Sequence, residues 1–153
     1  MIPIQHVHPM LVHFPIVFFL TLVVFDILAS FGGKAVTGRS ATGSISTSLA
    51  VLAGLFALVT FYFGGMALDV AEAQGFHSEV AEIHEGLGTT TAIAFAAWAL
   101  IRLVLWWRDV KFKGAISAAI PLVEVAGAIL VTATAYYGGQ LVYGLGVNVM
   151  HGA

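Results

Sequence analysis

The stretch PMLVHFPIVFFLTLVVFDILASF, residues 9–31, decides the fold. It carries a single charged side chain, Asp26, and is long enough to cross a bilayer, which takes about 20 apolar residues. Three further stretches do the same: Ser46 to Leu68, Leu87 to Trp107 and Ala115 to Tyr137. The whole chain agrees. Of its 153 residues 59% are hydrophobic and only 9% charged, and the mean hydropathy is +0.98, well outside the range of soluble domains. The expectation is an all-α fold: an integral membrane antiparallel four-helix bundle, one domain over residues 1–153, with spans joined by short connections. No repeat of 20 to 50 residues is visible, and Gly32 to Ser44 reads as a plain connecting loop. The N-terminus lacks the basic region and cleavage site of a secretory signal, so the first apolar run is expected to remain in the mature protein.

Charge sets the expected orientation. Lys34, Arg39, Arg102, Arg108, Lys111 and Lys113 all lie in or toward the first and third loops, which share one side. The positive-inside rule makes that side cytoplasmic and puts both termini at the periplasmic side of a bacterial inner membrane. The periplasmic side then holds Asp69, Glu72, Glu79, Glu82 and Glu85 with no Lys or Arg, and all six histidines: His6, His8, His13, His77, His84 and His151.

The chain has no cysteine. Disulfides, iron–sulfur clusters and covalently attached haem are excluded, and any haem would be b-type. Pro9 suits a first helical turn, which places His13 about one turn inside and on a face shared with Val17, Leu20 and Val24. In HSEVAEIHEGLGTT, residues 77–90, the polar and apolar residues separate cleanly: His77, Val80, His84, Leu87 and Thr91 share one face, while Glu79, Glu82 and Glu85 lie opposite. His84 is therefore expected to face the bundle and the glutamates to form a solvated acidic face. Glycines also gather at this end, at Gly64, Gly65, Gly86, Gly88, Gly138, Gly139, Gly144 and Gly146. They fit close helix packing or the approach of a flat cofactor. Tyr62, Tyr136, Tyr137 and Tyr143 fit an interfacial belt.

At HPMLVHFPI (His8 to Ile16) and GGQLVYGLGV (Gly138 to Val147) the chain resembles an uncharacterised family of small bacterial predicted membrane proteins, domain of unknown function 2231. Its pattern opens His-Pro-x-x-Val-His-Phe-Pro and ends Gly-Gly-x-Leu-Val-Tyr-x-x-Gly-Val. The resemblance covers essentially the whole chain and carries no assigned activity. Members of this type stand beside cytochrome c modules in some larger proteins, which by analogy implies redox chemistry.

Three readings of the histidines follow. In the first, His13 and His84 hold one haem b. They sit on diagonal helices whose axes are on the order of 11 to 14 Å apart, and their depths differ by only about 3 Å. Thr91 and the tyrosines would surround it, and His8 with His77 would form a second ligand pair or His8 would cap the helix. Such a protein would pass electrons between a membrane quinol and a periplasmic acceptor, its acidic rim attracting a basic cytochrome c. In the second, His8, His13, His77 and His84 bind zinc, copper or iron at about 2 Å, which needs three or four converging imidazoles. In the third, the histidines only pack and cap, in a structural subunit of a larger membrane complex or homo-oligomer, with lipid as the main neighbour. His6 and His151 read as structural or terminal in all three.

Intramembrane charge is costly and calls for an explanation. Asp26 and Arg102 lie at similar depths and would pair if their faces meet; otherwise Arg102 snorkels to the interface. Glu124 has no evident basic partner at its level and reads as a neutral, hydrogen-bonded acid or a proton-conducting group. No nucleotide loop, Ser-His-Asp set or nucleic-acid motif is present.

Overall fold

The computed structural model describes residues 3–112, 115–147 and 149. Helices account for almost all of them: a 3₁₀ turn at Ile4–His6, then α1 (Val7–Leu11), α2 (His13–Phe31), α3 (Ala41–Glu72), α4 (Glu79–Trp107) and α5 (Ala115–Gly139), closed by a π-helical turn at Gln140–Gly144. There is no strand among the described residues. Four segments are long and apolar enough to cross a membrane: Ile4–Phe31, Ala41–Glu72, Glu79–Trp107 and Ile116–Gly144. The protein is an all-helical, multi-pass membrane protein and contacts lipid.

Each span exceeds its expected length at the histidine end. The 32 residues of α3 rise about 48 Å, well beyond the ~30 Å of hydrocarbon. Helix starts follow local chemistry: the Ser40 side chain accepts from Gly43 N at the head of α3, and the Ser78 side chain from Val80 N at the head of α4. The first span begins before Pro9 and breaks at Val12 between α1 and α2. Pro15 is the reason: it has no N–H to give the Leu11 carbonyl four residues earlier, and its ring crowds that oxygen. The Thr60 hydroxyl donates to the orphaned Leu11 carbonyl instead, at 3.3 Å.

Helices adjacent in sequence pack side by side and α5 returns to α2, so α2 and α4 are diagonal, as are α3 and α5. The bundle centre sets Phe19, Leu22, Val23 and Phe95 against small and polar residues of α3. From α3 it takes Ser46, Thr47, Ala50, Ala53, Gly54, Ala57 and Thr60, while large apolar side chains such as Val24, Leu28, Ile93, Leu122 and Ile129 face outward. That is the partition a lipid solvent imposes, since lipid is as apolar as leucine and only close packing and polar contacts draw helices together. A side chain at Gly54 would run into Phe95 O and Ala99 Cβ at 2.8 and 2.7 Å, so this glycine sets the approach of α3 to α4.

The two hairpins repeat one another with a period longer than 50 residues. His8, Leu11, Phe19 and Asp26 recur 76 positions later as His84, Leu87, Phe95 and Arg102, and TFYFGG at 60–65 recurs 74 positions later as TAYYGG at 134–139. Matching residues make matching contacts. Thr60 Oγ1 donates to Leu11 O and Thr134 Oγ1 to Leu87 O. Phe19 and Phe95 stack on each other across the bundle centre, 3.8 Å between ring centroids and 10° from parallel. The halves are thus parallel repeats related by an axis running along the bundle.

Gly32 to Ser44 is more than a connector. Val36, Thr37 and Gly38 turn inward and are buried, and Arg39 ties the segment down by donating to Trp106 O and Trp107 O at the end of α4.

Candidate functional site

One cluster lies at the histidine end, on the repeat axis. His8 and His84 face each other with ring centroids 6.2 Å apart and ring planes 77° to one another. The Nδ1 of His8 lies 3.0 Å from Thr60 O and that of His84 3.0 Å from Thr134 O. A carbonyl can only accept, so each Nδ1 carries the proton, and a neutral ring then presents Nε2 as its lone-pair nitrogen. Gly64 and Gly138 give the rings room: a Cβ on Gly64 would stand 3.0 Å from His8 Cε1, and one on Gly138 2.9 Å from His84 Cε1. Both imidazoles are half-buried. Thr91 joins this layer through a hydroxyl contact of 2.8 Å with Thr134 Oγ1.

The structure therefore pairs His84 with His8, not with His13. The stripe of His13, Val17, Leu20 and Val24, expected to look inward, is the outer face of α2; the buried face is Pro15, Phe19, Leu22, Val23 and Asp26. An apolar stripe carries no inside or outside label when the solvent is itself apolar. His77 is exposed in the loop ahead of α4 rather than on its inner face, so it forms no second pair with His8. His6 closes the 3₁₀ turn, half-buried, and His151 lies outside the described residues. Among the described residues no three His, Asp or Glu side chains are grouped to hold a metal ion. Glu79, Glu82 and Glu85 are exposed as expected, as are Asp69 and Glu72. Of the tyrosines, Tyr62, Tyr136 and Tyr143 face outward.

Two imidazoles on opposite sides of one metal ion have a predictable separation. With metal–nitrogen bonds of about 2.0–2.1 Å and each ring centre about 1.1 Å behind its ligating nitrogen, the centroids stand about 6.2–6.4 Å apart. The two ring centroids here are 6.2 Å apart. The pattern around each ring suits ligation, since metal-binding imidazoles generally donate their other N–H to a carbonyl or carboxylate.

A second cluster lies at the opposite end of the bundle. Arg102 does not snorkel; it is fully buried between two buried acids, with Nη1 2.9 Å from Asp26 Oδ2 and 2.6 Å from Glu124 Oε1. Glu124, expected to lack a basic partner, has this one, and Trp98 Nε1 donates to the same Oε1 at 3.1 Å. Arg102 Nη2 donates to Val36 O at 2.6 Å and to Ser46 Oγ, and Ser46 donates to Asp26 Oδ2 at 2.6 Å. The Trp98 ring stacks beneath the guanidinium, its centroid 5.8 Å from Cζ.

What sequence reasoning missed at the first cluster, the pairing of His8 with His84 and the Thr60 and Thr134 carbonyls behind them, is marked by the internal repeat. No curated protein and no solved structure matches the chain. A family model does, over residues 5–151, and the chain belongs to the family it describes, the predicted membrane proteins of DUF2231.

Proposed function

We propose that the protein is a b-type cytochrome of the bacterial inner membrane, with His8 and His84 as the axial ligands of one haem and electron transfer as its task. One observation carries this reading: two imidazoles from the two halves stand 6.2 Å apart, each fixed at Nδ1 by a main-chain carbonyl, which leaves Nε2 as the ligating nitrogen. Bound there, haem supplies reversible one-electron chemistry. The protein's part is to hold both rings in one tautomer, to keep Cβ atoms away at Gly64 and Gly138, and to bury the site partly. Two opposed ligands suit a haem better than zinc or non-haem iron, which need three or four.

The exposed acids Asp69, Glu72, Glu79, Glu82 and Glu85 lie at the same end as the histidines. A rim of one sign steers a partner of the other, here a basic cytochrome c on the periplasmic side. A membrane quinol is the fitting donor.

Absorption spectra of the purified protein, oxidised and then reduced, test the reading. The expected spectrum is that of a six-coordinate low-spin b-type haem, lost or turned high-spin in His8→Ala and in His84→Ala and unchanged in His13→Ala. Colourless protein from haem-replete cells would overturn it, and stoichiometric copper or zinc in that protein would give the pair to another metal.

A further inference from the structure

We propose that Asp26 and Glu124 share one proton, so that the buried cluster with Arg102, at the end of the bundle opposite the histidines, is electrically neutral. This rests on nothing at the histidine pair.

The count of charges comes first. Asp26, Arg102 and Glu124 are all fully buried, and they are the only buried charged residues among those described. Two carboxylates against one guanidinium would leave one negative charge uncompensated inside the bundle. That is far more costly than retaining a proton, as when two carboxyls share a site. Geometry agrees. Asp26 Oδ2 and Glu124 Oε1 sit 2.9 and 2.6 Å from the same Nη1, which brings the acids close enough to repel if both are ionised. Their other oxygens, Asp26 Oδ1 and Glu124 Oε2, are buried with no hydrogen-bond partner. A proton on one of them removes charge that an oxygen without water or partner would otherwise carry.

Every element around the cluster contributes a known group. α2 supplies Asp26, α3 the Ser46 hydroxyl, α4 Arg102 and the Trp98 indole, α5 Glu124, and the loop the Val36 carbonyl. Besides the two acids and Arg102, none of these titrates. Buried Val36 and Thr37 close the cluster from the side of the basic loops.

Infrared spectra of the protein in bilayers at neutral pH, in H₂O and D₂O, test the proposal. The other six acids are exposed and so contribute carboxylate bands. Wild type is expected to show the C=O stretch of one protonated carboxylic acid, shifted in D₂O. Asp26→Asn and Glu124→Gln are each expected to lose it, because the remaining carboxyl then ionises against Arg102. No band in wild type would overturn the proposal. So would a band that survives either substitution, since the proton would then belong to one acid alone. If one variant fails to fold, the other and the wild type still decide.

Discussion

Asp26 and Arg102 form a buried ion pair at 2.9 Å across 76 residues of sequence, the interval that also separates His8 from His84 and Phe19 from Phe95. At the histidine end and in the middle, equivalent positions carry the same residue and meet across the axis. At the other end they carry opposite charges, because two like charges there would repel. The repeat is kept where identical ligands are useful and broken where identity would be destabilising.

The glycines beside the imidazoles make a controlled comparison. Gly64→Ala and Gly138→Ala push a methyl to about 3 Å from His8 and His84, so both are expected to displace the ring and lower cofactor occupancy several-fold. Gly65→Ala and Gly139→Ala meet open space and gain up to about 1 kcal/mol of helix propensity. Absorbance per mole of purified protein, beside an unfolding titration, separates the two pairs.

Gly54→Ala is expected to damage the packing of α3 against α4. Its Cβ would overlap the Phe95 carbonyl and Ala99 Cβ, and backbone cannot move aside as a side-chain tip can. Overpacking of this kind costs about 1–3 kcal/mol, readable as a lowered midpoint of unfolding in detergent.

Removing Arg102 is expected to cost more than removing either acid. Arg102→Gln leaves two buried carboxyls without their cation, a loss of roughly 3–5 kcal/mol for a broken buried pair, whereas Asp26→Asn leaves Glu124 to balance Arg102. Unfolding titrations of the two variants should rank them in that order.

The loop staple has a pH dependence of known sign. Arg39 N donates to Asp109 Oδ1 at 2.7 Å, and this bond, with help from Lys111, holds the exposed Asp109 carboxyl below its usual range. A depressed pKa stabilises the folded loop above the ordinary carboxylate value of about 3.9 and ceases to as the pH falls through the folded value. Proteolysis of the 32–40 segment should therefore rise on acidification below pH ~4 in wild type. In Asp109→Ala it should be raised already at neutral pH and respond less to acid.

Orientation is open to a direct measurement because the chain has no cysteine. Lys34 and Gln74 are exposed in loops at opposite ends. The charge asymmetry predicts that Gln74→Cys reacts with an impermeant maleimide from the periplasm and Lys34→Cys only after the membrane is opened. The reverse pattern would place the histidines in the cytoplasm.

The sequence by itself determined the four spans, because length and apolarity are what crossing a bilayer demands. It determined the exposed acidic face of α4, since Glu79, Glu82 and Glu85 have one energetically acceptable side. Apolar residues did not reveal which way α2 faces, because lipid and bundle interior receive them equally well. The polar residues did carry that phase. His8 precedes Asp26 by 18 residues, as His84 precedes Arg102, and 18 residues make five turns at about 3.6 residues each, a phase that the helical dihedrals of Val12 carry across the break between α1 and α2. Asp26, which lipid cannot hold, therefore turns His8 inward with it, while His13 falls outside. Only the tertiary structure decided that Glu124 shares Arg102 with Asp26, that Val36 closes over them, and that Thr60 and Thr134 fix the histidine tautomers. Those contacts join residues 22 to 76 positions apart, and they depend on how closely four helices approach, which the small residues of α3 permit and no single span encodes.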